Sequence, residues 1–342
     1  MNLARFLTPQ VLILFFLILL MGMAVGLGIP LPAILSDSLV RLGMNGVLVL
    51  SLVPMLNAGI GINFGLPVGI IAGLIGLCIA VNFRITNLAG FLAALGAAAP
   101  FAIAFGLLYS RLLNRVTGRE EITATFVGFS LVSAFDIFWA AAPFNNPVML
   151  WPIGGEGLRP IIGLKGYFEK VLNSSLAFTI AGITVPVGLL LCFGILCGLL
   201  HLFFKTKTGK AILAVGENET FARLAGIDVH KTRAVAIVLS TLIGAWGIVV
   251  YAQSYGFIEL YDAPLMTAFP AASAILIGGA IGRRAGILHV LLGTYLLQTT
   301  YVLSAPIANE LLVPEVAEIL RMMITNLVIL YAMLHRGGAV RS

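Results

Sequence analysis

Apolar stretches of about twenty residues recur along the whole chain, separated by short polar or glycine- and proline-bearing breaks. They predict helical membrane spans at roughly 11–32, 44–63, 67–82, 87–112, 122–143, 175–204, 231–254, 266–282, 285–304 and 316–335, about ten in all. A lipid-spanning barrel would instead show segments of about ten residues with alternating polarity. The predicted fold class is therefore all-α: a polytopic membrane helical bundle forming one transmembrane domain over residues 1–342, with no room for a second, soluble domain. The first span follows Arg5 and continues to Pro30 without a small-residue cleavage site, which reads as a retained helix rather than a removed leader.

Two polar stretches interrupt this pattern. Residues 144–173 carry Pro147, Pro152, Pro160, Gly163 and Gly166 and predict an ordered cap without long helices. Residues 205–231 contain the longest polar run, AVGENETFARLAGIDVHKT from Ala214 to Thr232. There a basic stub leads through Gly209 into a short helix. Asn218 then suits the N-cap of a second short helix ending at Gly226, and Asp228 begins the next span.

Composition agrees with a membrane setting: 60% of the residues are hydrophobic and 10% charged, against about 45–50% and about 25% in soluble domains. Lysines and arginines set the expected orientation. With the N-terminus in the cytoplasm, fourteen of the 20 basic residues fall inside (Arg5, Arg111, Arg115, Arg119, Lys205, Lys207, Lys210, Arg223, Lys231, Arg233, Arg283, Arg284, Arg336, Arg341). Arg41, Arg84, Arg159, Lys165, Lys170 and Arg321 fall outside. Both termini and the 205–231 segment are then cytoplasmic and the 144–173 loop is external. The net charge of +6 reflects this asymmetry rather than nucleic-acid binding.

Catalytic chemistry is sparse. The Gly209-Lys210 pair lacks the glycine-rich cradle of a phosphate-binding loop, and neither HExxH nor GxSxG occurs. Cys78, Cys192 and Cys197 sit inside apolar runs, and the four histidines lack ligand spacing, so neither disulfides nor a metal is expected. Asp136 is the acid deepest in an apolar run and, with Asn57, Asn63, Thr294 and Gln298, forms a set of candidates for lining a translocation pathway; interhelical hydrogen bonding explains the uncharged four as well. Glu318 and Arg321 suit a helix-surface pair. Gly61, Gly65, Gly69 and Gly73 recur every fourth position, and Gly278, Gly279, Gly282, Gly286 and Gly293 cluster late, spacings that let helix backbones approach closely.

Gly216, Asn218, Ala222 and Gly226, in the order G-x-N-x-x-x-A-x-x-x-G-I, resemble the cytoplasmic coupling segment in permeases of bacterial ATP-binding-cassette importers of the ribose type. That family also includes nucleoside and branched-chain amino-acid permeases. LIGGAIGRRAGILHVLLGTYLLQ and NGVLVLSLVPMLNAGIGINFGLPVG resemble two further segments of it, so the likeness covers roughly residues 40–335. Asn63 stands where the sugar permeases usually carry Asp, and Phe221 where alanine is common. The resemblance implies a subunit without its own ATPase, located in the bacterial inner membrane. Its implied partners are cytoplasmic ATPase subunits carrying ATP and Mg, a second permease subunit (identical or homologous), and an external solute-binding protein. The expected cargo is a small hydroxylated solute, a simple sugar first and a nucleoside as the alternative. Gly216, Glu217, Asn218, Ala222, Arg223 and Gly226 are the expected ATPase-coupling residues. A channel or secondary transporter independent of ATP is the competing class, and an intramembrane enzyme is a distant third.

Overall fold

A computed structural model describes residues 9–116, 118–151, 157–280, 284–311, 319 and 323. In chain order its elements are α1 (Pro9–Gly26), α2 (Leu31–Leu50), α3 (Val53–Asn57), α4 (Pro67–Asn82), α5 (Asn87–Leu113), α6 (Glu120–Ala141), β1 (Ile161–Gly163), α7 (Val171–Ser174), β2 (Phe178–Ile180), β3 (Ile183–Val185), α8 (Val187–Lys205), α9 (Lys207–Glu217), α10 (Glu219–Leu224), α11 (Val229–Tyr255), β4 (Phe257–Glu259), α12 (Ala263–Ile277) and α13 (Ile287–Leu311).

Among the described residues, six helices are long and apolar enough to cross a membrane: α2, α5, α6, α8, α11 and α13. Shorter apolar helices occur in α1, α4 and α12. The expected tenth span, with Glu318 and Arg321, falls outside the described helices, so the count of ten stands as an expectation.

α4 is apolar on every side and buries all but Ile79 and Asn82, as expected of a helix enclosed by others. It lies between α5 and α11, and its glycines permit this. A methyl group on Gly69 would strike the Thr241 carbonyl of α11, one on Gly73 would strike Ile248, and one on Gly76 would strike α5 at Ala94. Gly61 and Gly65 precede α4 and meet Glu121 and Tyr109 instead, so the four-residue spacing spans two different structures.

Two expected spans are differently built. The run 44–63 breaks into α2 and α3 because Pro54 cannot donate a hydrogen bond to the Leu50 carbonyl and its ring crowds that group. The run 175–204 begins as a β-hairpin, with Phe178 paired to Val185 and Ile180 to Ile183. Ala181 and Gly182 form its turn with φ of 51° and 81°, the geometry of a tight hairpin turn matched to strand twist. The helix starts only after Pro186.

Among its described residues, the 144–173 segment contains short elements only. β1 pairs antiparallel with β4, Ile162 facing Ile258. Asn146 donates to the Val81 carbonyl (2.6 Å) and to the Tyr167 hydroxyl (2.8 Å), fastening the cap to the end of α4. At the opposite end Asn114 of the α5 terminus donates to His230 in the first turn of α11 (3.1 Å), so cap and polar 205–231 segment occupy opposite ends of the bundle.

Candidate functional site

The polar segment folds as a knob of two short helices, α9 and α10, set between α8 and α11. Each of the three helix starts has a side-chain cap. Thr206 accepts from Gly209 N (3.2 Å), Asn218 from Phe221 N (3.0 Å) and Asp228 from Lys231 N (3.0 Å). α10 ends with Gly226 at φ 80°, Gly226 N bonding the Arg223 carbonyl (3.0 Å) and Ile227 N the Ala222 carbonyl (3.0 Å). This is the paired-bond C-cap that a residue free to adopt positive φ completes. Ala222 is buried among Val215, Ile227 and Val229, closing a small core inside the knob. Four residues of the sequence pattern thus have structural duties: Asn218 starts α10, Ala222 packs it, Gly226 ends it, and Gly216 seats the knob on the membrane body.

That seat is close. A methyl group on Gly216 would be driven into the Asn57 carbonyl at the end of α3. Beside it, Glu217 forms an ion pair with Arg284. Arg223 pairs with Glu219 along α10 (2.8 Å), and the other Glu219 oxygen lies 4.0 Å from Arg233. Arg233, 5% exposed, is also paired with buried Glu120 of α6. Glu217, Asn218 and Arg223, expected to meet an ATPase, thus also have partners within the chain, while the Glu217 and Arg223 side chains stay about half exposed. The knob's exposed surface also carries Phe221, 66% exposed, and Leu224, 83% exposed. In the sequence Phe221 stands out only as a departure from the family pattern, and Leu224 does not stand out at all. The available signal was two apolar residues on a short polar helix whose remaining positions are polar or small.

The five pathway candidates are dispersed, and no hydrogen bond joins any two of them among the described residues. Asn57 pairs with Ala285 through both ends of its amide. Asn63 donates to Ser240 (3.0 Å) and accepts from the Tyr109 hydroxyl (2.9 Å), joining the segment before α4 to α5 and α11. Thr294 is fully buried on α13 with its hydroxyl unpartnered, and Gln298 is buried one turn further along. Asp136 lies near the cap end of α6, one oxygen enclosed without a partner, close enough to Asp262 and Tyr261 to act on both electrostatically. No group of three or more potential metal ligands occurs among the described residues.

Residues 34–333 match the family model described as branched-chain amino acid transport system / permease component. Among curated proteins, the chain is 25% identical over 223 residues to the autoinducer 2 import system permease protein LsrC of Enterobacter sp. (strain 638), covering 65% of this chain and 55% of that one. It is 25% identical over 226 residues to LsrD, the corresponding permease protein of Photorhabdus luminescens, covering 66% and 61%. The aligned part thus spans less than two thirds of either relative's length. A solved inward-facing ABC transporter, described as of the metal-chelate type, superposes with a TM-score of 0.41 at 16% identity over 88% of this chain and 85% of that one, too loosely to inform the site.

Proposed function

The chain belongs to the branched-chain amino acid transport system permease family, and from that premise we propose that it is the membrane subunit of an ATP-binding-cassette importer. In this reading the helical bundle forms half of a translocation pathway, a second permease subunit completes it, and an external binding protein delivers a small hydroxylated solute. ATP and Mg belong to a cassette ATPase that grips the knob. A simple sugar is the solute class, following the ribose-type segments of the sequence; the relatives named as import-system permeases support the direction of transport.

The observation that carries the reading is the knob: capped at every helix start, seated against the membrane body through Gly216, and exposing Phe221 and Leu224 at its tip. Two large apolar side chains held outward on a charged element suit insertion into a groove of a soluble partner. A rigid seat lets the partner's displacement reach the helices as a body movement rather than being absorbed by a loop.

The reading is tested by co-expressing the chain with the cassette ATPase encoded beside it and comparing wild type with Phe221→Asp, Leu224→Asp. Neither side chain packs inside the protein, so the variant should insert normally and lose the ATPase on purification. Retention of the ATPase by the variant would remove the knob tip from the interface. Failure of the wild type to retain it would give the lead to an ATP-independent channel or carrier.

A further inference from the structure

The knob is joined by the chain to α8 and α11 only. Along the chain α13 is reached only through the whole of α11 and α12, whereas the direct route from the knob to the start of α13 is a non-covalent contact in which Asn57 takes part. Asn57, the last residue of α3, is 4% exposed. Its Nδ2 donates to the Ala285 carbonyl (2.9 Å) and its Oδ1 accepts from Ala285 N (2.8 Å), so a side-chain amide closes a reciprocal pair with a backbone 228 residues away. The Asn57 backbone carbonyl is the same group on which Gly216 of the knob rests. Arg284, next to Ala285, is the ion-pair partner of Glu217, next to Gly216.

Three segments distant in sequence, 216–217, 57 and 284–285, therefore meet at one point, and each touches the other two. Asparagine suits this place because its amide presents a donor and an acceptor at one end, matching the N–H and C=O of a single residue. Leucine would offer neither, and an aspartate carboxylate would bond Ala285 N while facing the Ala285 carbonyl with no proton to give. Buried and out of competition with water, the pair resists separation more than an exposed one would.

We propose that Asn57 is a positioning residue for transport: it locks the knob, the end of α3 and the approach to α13 into one body, so that movement of the knob moves the start of α13. This rests on the importer reading above. The alternative is that the knob slides over α3 and its motion passes through α8 and α11 alone.

The test uses the full complex with its ATPase in lipid nanodiscs, native cysteines replaced, and pairs of spin labels. One pair is at Lys210→Cys on α9 and Leu288→Cys at the start of α13; the reference pair is at Lys210→Cys and Leu176→Cys, just after the cap between α7 and β2. All three positions are exposed. Distances are measured without nucleotide and after trapping with ATP and vanadate. With Asn57 intact, the reference distance should shift by about 2 Å or more, the scale of helix shifts in switching proteins, while the knob-to-α13 distance stays constant. In Asn57→Leu, and more weakly in Asn57→Asp, the knob-to-α13 distance should change on trapping while ATP hydrolysis persists. A knob-to-α13 distance that shifts with Asn57 intact overturns the proposal, even if neither variant folds. So does one that stays constant in both variants, and so does a reference distance that never changes in a hydrolysing complex. These leave the importer reading standing. A wild-type chain that retains no ATPase ends both.

Discussion

Asn63 holds an amide in the protein interior with both ends engaged, by Ser240 of α11 and Tyr109 of α5. Removing it strands a buried phenol and a buried hydroxyl, each costing about 1–3 kcal/mol if left unsatisfied. Asn63→Leu should therefore lower the thermal midpoint of the detergent-solubilised protein more than Tyr109→Phe, and the double variant should cost less than the sum of the two, because they share one network. Nothing around Asn63 in sequence announces these partners, which lie 46 and 177 residues away. The type and depth of the residue were legible, its engagement was not. Glu259 gives a pH prediction at the same scale. Burial in β4, and secondarily the charge of Asp262, hold its carboxyl above the usual glutamate range. A folded pKa above the unfolded one means that the native state binds this proton more tightly. The associated stability is fully present below the unfolded value and is lost as pH rises through the raised folded one. Melting points taken from about pH 4 to 7, the range bracketing an ordinary glutamate near 4.3, should decline with rising pH from this source, and Glu259→Gln should flatten that decline.

At the level of elements, the knob was the most legible part of the chain because its stops and starts are written in local chemistry. Asn218 caps α10 and Gly226 ends it, as the spacing predicts, and Asp228, where the next span was expected to begin, caps α11. Asn218→Ala should cost α10 about 1 kcal/mol, read as roughly five-fold faster amide exchange over residues 219–224 with α11 unchanged. Gly226→Ala forces a Cβ into a left-handed conformation at about 1–2 kcal/mol and should affect the same six residues more strongly. The span boundaries of α4, α5, α6 and α11 were also legible within a few residues, since apolar length alone defines them. The β2–β3 hairpin was not. Its strands are three residues each, too short for a period of two to be told from the start of an apolar helix.

On the scale of the whole molecule, the described helices run between two unlike ends, a knob at one and a stitched cap at the other. Basic-residue counting predicts a cytoplasmic knob, so Leu224→Cys and Leu176→Cys, both well exposed, should react with a membrane-impermeant maleimide from opposite sides of sealed vesicles: Leu176→Cys in right-side-out preparations, Leu224→Cys in inverted ones. Reversed labelling would invert the orientation without disturbing the fold. The pairing of β1 with β4 bears on how the chain is made. β1 leaves the ribosome nearly a hundred residues before β4, an interval of about 5–20 s at ordinary synthesis rates of about 5–20 residues per second. Over that time its backbone groups wait for a partner strand that follows a helix not yet inserted. Closure of the cap is thus a late event in biogenesis, and a nascent chain stalled before Phe257 presents a strand edge with no mate to any quality-control protease on that side of the membrane.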